Sequence, residues 1–343
     1  MDRILSNVER VYNNGATHRF PTNVPYVTVD NFPKLGKLAA MRFLEWVSDN
    51  PEGVISLPTG KTPEYFIEWV RRALERWDSA EGRLMREESG LTVDRRPDLS
   101  GLRFVQIDEF YPIDPRQHNS FYNYVQKYYV GGFGLDPKRG QFINCDEIPL
   151  PGGRRFTEVF ADGAVDLGLR YREPKSRSEE LQQQSIFMID DWCAAYEQRI
   201  RDMGGIGFFL GGIGPDGHIA FNTRGSDPHS TTRLTHTNFE TQAAAAGDLG
   251  GIEVSRTKPV ITIGLDTITY NKDCVAIIFA AGEAKAEVVA DALEKKPSNL
   301  YPASVLSRLP AARFYLTRGA ASMLHESVYD YYTCLLYTSD AAD

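Results

Sequence analysis

The chain has 343 residues, 42% of them hydrophobic and 24% charged, a balance that fits an ordinary globular protein and excludes disordered and fibrous classes. Its 38 basic and 46 acidic residues give a net charge of −8, which opposes the sequence-independent attraction that nucleic acid or an anionic membrane surface needs. Cys145, Cys193, Cys274 and Cys334 are scattered with no CxxC pair, and no run of about 18 apolar residues occurs, so zinc ribbons, disulfide scaffolds, export and membrane insertion are unsupported and a cytoplasmic location is expected.

From about Tyr26 onward, short β-rich runs alternate with longer helical patterns. This predicts βαβ units in a doubly wound α/β architecture, a mainly parallel sheet with helices on both faces. Strands are expected at 54–57, 102–107, 207–210, 260–265, 274–279 and 313–316, and helices at 35–47, 63–77, 120–129, 186–203 and 283–294. One α/β domain over residues 1–332 is expected. Residues 79–100 and 151–184, polar and weakly periodic, are expected as surface insertions, and 333–343 as a non-native tail outside the fold.

The first stretch with chemical character is Leu57-Pro58-Thr59-Gly60-Lys61-Thr62-Pro63, between a predicted strand and a predicted helix. Thr62 suits the N-cap and Pro63 the first helical position, so that the free N–H groups of the first turn would face back over the loop, as anion sites do. Gly60 would let the backbone approach closely, while Thr59 and Lys61 would add hydroxyl and ammonium donors. An ordinary strand-to-helix turn reads the same way, and the P-loop spacing GxxxxGK[ST] is absent.

Next, Ile107-Asp108-Glu109-Phe110 places paired carboxylates at the end of an apolar strand, the edge where ligands bind in open α/β sheets. Desolvation there would raise the pKa of Asp108 toward values useful for a general base, whereas a capping or salt-bridged pair is the structural alternative.

The third stretch runs Gly211-Gly212-Ile213-Gly214-Pro215-Asp216-Gly217-His218-Ile219-Ala220-Phe221-Asn222. Gly212, Gly214 and Gly217 satisfy GxGxxG, but Pro215 and the polar run after Asn222 leave little room for the helix that must start on the third glycine of a dinucleotide fingerprint. Asp216 and His218 sit at alternate positions that can present both side chains to one pocket, a general acid/base arrangement; a merely solvated loop histidine is the competing reading. His218, His229 and His236 match no common zinc spacing, so no metal is expected, and no GxSxG elbow points to a serine triad. Lys285, in the first turn of the helix after the 274–279 strand, stands against the helix macrodipole, which suits an anionic partner or else a solvated face.

Taken together, LPTGKTP, IDEF and GGIGPDGHIAFN, followed by Lys285, resemble the glucosamine-6-phosphate deaminase/isomerase family within the superfamily that also holds the 6-phosphogluconolactonases. The resemblance spans about residues 26–321 apart from the two insertions. It implies a modified doubly wound, Rossmann-type fold and conversion of an amino-sugar 6-phosphate to a ketose 6-phosphate with release of ammonia, without a cofactor. Asp108, with Glu109 beside it, would be the base that moves the C2 proton, and Asp216 and His218 would serve ring opening. Thr59, Gly60, Lys61, Thr62 and Lys285 would hold the phosphate, and Gly212, Gly214, Gly217 and Asn222 would line the sugar site. Pro302-Ala303-Ser304 and the 313–316 strand resemble the family's closing segment, and a homo-oligomer is expected.

Two departures stand out. The deaminases carry Glu after the Asn of GHIAFN, where this chain has Thr223 in the catalytic set. The arginine that helps them bind phosphate has no clear counterpart, leaving Arg224, Arg233 and Arg256 as candidates by proximity. The IAFN sequence favours a deaminase over a lactonase, in which His218 would activate water, while Thr223 leaves open a weakened sugar-phosphate sensor.

Overall fold

Side chains of the apolar strands alternate between two cores, which is why these strands read as continuous hydrophobic runs. Phe208 and Leu210 pack with Phe43 and Phe66 from the helices Phe32–Asp49 and Glu64–Glu75, whereas Phe209 packs on the other face with Ile186 and Ile189 of helix Arg177–Asp202 and Val289 of helix Ala286–Glu294. Each such side chain contributes roughly 1.5–3 kcal/mol on burial, so both faces must be covered for the sheet to persist. In this computed structural model, which describes residues 6–339, the arrangement is an α/β sheet with helices on both faces.

The strands are β1 (Tyr26–Val29), β2 (Val54–Ser56), β3 (Arg103–Val105), β4 (Asp108–Phe110), β5 (Gly140–Gln141), β6 (Phe208–Gly211), β7 (Arg233–Thr235), β8 (Val260–Thr262), β9 (Val275–Ala280) and β10 (Arg313–Thr317). Seven form a parallel sheet in the order β1-β10-β9-β6-β2-β3-β5. The other three form a small antiparallel sheet, β4-β8-β7, in which Asp108 pairs with Thr262. Among the described residues no helix is long and apolar enough to cross a membrane.

The expected strand at 102–107 is divided. Its parallel pairing ends at Val105, where the buried amide of Gln106 takes over: Nε2 donates to Asp108 O (2.9 Å) and Oε1 accepts from Ile143 N (3.0 Å). Ile107 O then accepts from Ile263 N (2.9 Å), and the chain enters the small sheet, so Asp108 begins a strand rather than ending one.

The two polar segments are more than surface. Helix Ala80–Glu88, capped by Ser79, buries Met85, and Leu91 and Leu99 follow it inward. Phe156, Val159, Phe160, Leu167 and Leu169 join the core beneath helix Arg177–Asp202, which begins at its Ser176 cap, upstream of the predicted start. These anchors are spaced too irregularly to produce a helical or strand period. A helix, His325–Ser339, covers most of the stretch expected as a tail, and 340–343 lie outside the described residues.

Candidate active site

Strands β2, β3 and β5 lie to one side of the parallel sheet and β6, β9 and β10 to the other, so the winding reverses between β2 and β6. Ligands of open α/β sheets bind outside the strand ends at such a reversal. A cavity of about 190 Å³ opens there. Pro58 and Thr59 after β2, Asp108 after β3, and Gly211 to Gly214 at the end of β6 form its walls, with His218, Ala220, Phe121 and Phe221 around them. The half-buried Phe121 and Phe221 rings lie near-parallel, 6.2 Å apart, and form one apolar side of it.

Asp108 is 8% exposed, and no described residue donates a hydrogen bond to its carboxylate. Burial, with Glu109 adding like charge, raises its pKa well above the usual carboxylate range. Glu109 is turned away from the cavity, contrary to its place in the predicted catalytic set. Its oxygens accept from Phe110 N, Ser120 Oγ, Phe121 N and Tyr122 N at 3.0, 2.7, 3.1 and 2.8 Å, so it anchors the start of helix Phe121–Val125. Burial pushes its carboxyl up to about 7 against the pull of those donors.

Opposite, Asp216 Oδ1 meets His218 Nδ1 at 2.5 Å, and Asp216 Oδ2 accepts from Arg224 N (3.1 Å) and Asn238 Nδ2 (2.7 Å). Burial alone would raise the Asp216 carboxyl, but the hydrogen bond and charge of His218 with the other two donors outweigh it and hold the pKa well below the usual range. With Nδ1 committed to Asp216, Nε2 is the ring nitrogen left for a ligand in the cavity that His218 lines.

Other predicted residues fall into place less uniformly. Of the 59–62 loop only Thr59 lines this cavity; Gly60 and Lys61 face a neighbouring groove of about 600 Å³ with Glu64 and Tyr124, and Thr62 is exposed. Helix Glu64–Glu75 takes Pro63 as its N-cap with no side-chain bond, so Thr62 does not cap it. A Cβ at Gly60 would meet nothing within 4 Å; glycine is needed there for its φ of +89°, not for close approach. Lys285, at the N-cap of helix Ala286–Glu294, donates Nζ to Ile213 O at 2.7 Å and so braces the cavity loop from behind; burial lowers its pKa, while Asp216 opposes that.

Gly212 and Gly214 line the cavity, but Gly217 and Asn222 stand outside it. Gly217 ties the turn together, donating to Gly214 O (3.1 Å) and accepting from Ala303 N (3.2 Å). Asn222 is fully buried, donating to Ile219 O and Ile263 O and accepting from Arg233 Nη1 (2.9 Å). Among the described residues the Thr223 hydroxyl makes no hydrogen bond, and the partners of His218 Nδ1 are Asp216 and Thr241. Arg233 is committed to Asn222 and Ser226, Arg224 is exposed, and Arg256 pairs with Glu253, so none of the three candidate arginines lines the cavity.

Several residues were not singled out in the sequence. Asn238 caps helix Phe239–Leu249 and holds Asp216, Thr241 Oγ1 lies 3.3 Å from His218 Nδ1, and Thr262 Oγ1 accepts from Phe221 N at 3.0 Å. Ala220 lines the cavity with φ of 49°, a left-handed conformation that is strained for a residue with a Cβ. The run Thr-Asn-Phe-Glu-Thr, 237–241, has the look of a helix start, which is the one local signal that leads to Asn238.

No protein-family model matches the chain. Glucosamine-6-phosphate deaminase 2 of Giardia intestinalis is 27% identical over 291 residues, covering 85% of this chain and 88% of its own. Glucosamine-6-phosphate deaminase of Caenorhabditis elegans is 33% identical over 195 residues, covering 57% of this chain and 72% of its own. In fold, a monomeric glucosamine-6-phosphate deaminase superposes with a TM-score of 0.64 at 22% identity, over 87% of this chain and 99% of that one.

Proposed function

This chain belongs to the superfamily of glucosamine-6-phosphate deaminases and 6-phosphogluconolactonases, and from that premise we propose that it isomerises and deaminates an amino-sugar 6-phosphate such as glucosamine 6-phosphate, releasing a ketose 6-phosphate and ammonia. The observation that carries this reading is the Asp108 carboxylate, raised in basicity and without a hydrogen-bond donor, facing the same small cavity as the Asp216–His218 pair.

Each step has a group suited to it. His218 Nε2, its ring fixed through Nδ1, moves the proton between the C1 hydroxyl and the ring oxygen as the sugar opens. Asp108 then takes the proton from C2 while the carbonyl oxygen at C1 gains one, giving an enolamine. Returning that proton from Asp108 to C1 leaves an iminium at C2, to which water adds before ammonia departs. The stacked Phe121 and Phe221 limit solvent access to the proton in transit. The phosphate is held at the Thr59 wall of the cavity and by Lys285, whose ammonium reaches the 211–214 turn at Ile213 O.

Lactone hydrolysis is the second reading, favoured by the free Nε2 of His218, which is equally placed to activate water. Incubation with glucosamine 6-phosphate and, separately, with a 6-phosphogluconolactone distinguishes them. Ammonia and ketose phosphate in stoichiometric amounts support the deaminase; lactone hydrolysis without ammonia release transfers the assignment to the lactonase. Saturable binding of the amino sugar with neither reaction would leave a sensor.

A further inference from the structure

The helical segment that begins with Phe121 is fastened to both sides of the cavity. At its start, Glu109, the neighbour of Asp108, accepts from Ser120 Oγ, Phe121 N and Tyr122 N. One turn further on, helix Phe121–Val125 widens into the π-turn Gln126–Val130, a local irregularity that often marks functional positions. Tyr129 in that turn is fully buried against Phe104, Tyr124 and Phe133, and its hydroxyl donates to Pro58 O at 2.5 Å.

Pro58 precedes Thr59, and both line the cavity with Asp108. The loop beyond has little else to hold it. Gly60 and Lys61 face the open groove of about 600 Å³, and among the described residues the loop's other hydrogen bond is Glu64 N to Lys61 O at 3.3 Å. Proline has no N–H of its own to offer, so its carbonyl is the backbone group by which the loop's entry is tethered.

We propose that Tyr129 is a positioning residue. By holding the Pro58 carbonyl from a helix that Glu109 secures beside Asp108, it sets the separation between the phosphate-holding loop and the proton-transfer carboxylate. This rests on the sugar-phosphate reading above. A phenol that only filled the core would act on stability, whereas a positioning phenol acts on how the anchored end of the substrate is held.

The test is Tyr129→Phe, which keeps the ring and removes the hydroxyl. Two changes are expected: KM for glucosamine 6-phosphate rises about three- to tenfold with kcat within about twofold, and amide hydrogen exchange speeds up locally at 59–62. Absence of either change overturns the proposal, as does an equal loss of kcat and kcat/KM accompanied by faster exchange throughout the core. If the wild-type protein turns over no sugar phosphate, the proposed reaction falls, and the exchange comparison alone decides whether Tyr129 holds the loop.

Discussion

The imidazole of His218 lies directly over the Cα of Gly214: a methyl group built there would fall 2.0, 2.2 and 2.3 Å from Cε1, Nδ1 and Nε2 of the ring. Gly214 is therefore needed for the space it leaves. Its φ is not in the left-handed region, so alanine fits the backbone and displaces only the ring. Gly214→Ala should lower kcat about a hundredfold, since a shift of about 1 Å in a reacting group can cost that much. The circular dichroism spectrum should stay unchanged. Wild-type turnover in this variant would mean that the ring position does not matter to the reaction.

Asp108→Asn separates function from stability. The amide cannot take the C2 proton, so deaminase activity should fall by at least about a hundredfold. Stability should move the other way, because Asp108 in the fold has a pKa above its unfolded value: the carboxylate weakens the fold once pH exceeds the unfolded pKa of about 3.9, increasingly up to the folded value. The variant should melt higher than wild type near pH 7–8, with the gap closing as pH falls toward about 4. A lower melting temperature at neutral pH would contradict the placement of Asp108 in a desolvated wall. In the wild type, kcat/KM should decline on the acid side above the ordinary carboxylate range.

What the sequence made legible, and what it did not, follows from the range of the interactions. Runs such as Val275–Ala280 are apolar throughout because both faces are covered, so the parallel sheet and its strand-end loops could be read directly. Asp216 and His218 lie on such a loop, after β6, while Asp108 opens β4; Asp108 and His218 line one cavity. Gln106 hid the division between the two sheets, because its bridge to Asp108 O and Ile143 N depends on a segment far along the chain. Glu109 looked like a partner of Asp108, but alternation along β4 sends the next side chain to the opposite face, toward the waiting N–H groups of the next helix. Lys61 and Thr62 belong to a loop entered at Pro58, whose carbonyl accepts from Tyr129, 71 residues away, a contact that no local pattern reveals.

Lys285→Ala removes both an ammonium and the bond to Ile213 O. The expected result is a KM for the phosphosugar raised about tenfold or more, with a smaller fall in kcat from slackening of the Gly211-to-Gly214 turn. Inorganic phosphate should inhibit the wild type competitively and the variant correspondingly less. Unchanged KM and unchanged phosphate inhibition would remove Lys285 from the anion site and leave it as a brace.

Among the described residues Thr223 makes no hydrogen bond to the Asp216–His218 pair, and Asn238 supports it instead. Its amide donates to Asp216 Oδ2 at 2.7 Å, and its own Oδ1 accepts from Thr241 N at 3.1 Å, which in turn sets Thr241 beside His218 Nδ1. Asp216 has a folded pKa depressed below its unfolded value, so its bonds stabilise the fold above the unfolded pKa, and that contribution is lost as pH falls through the folded value. Asn238→Ala removes one donor to a buried carboxylate and should lower stability at neutral pH by about 1.5–3 kcal/mol, with kcat down about tenfold as the dyad loosens. Asn238→Asp replaces the donor by like charge and should be the less stable variant at pH 7. Its deficit relative to Asn238→Ala should shrink toward about pH 4 as the added carboxyl takes up a proton. Thermal melts and initial rates of the three proteins across that pH range provide the check. An Asn238→Asp variant as stable and active as wild type at neutral pH would mean that Asn238 does not hold the Asp216 carboxylate, leaving Thr241 and the Arg224 backbone to orient the pair.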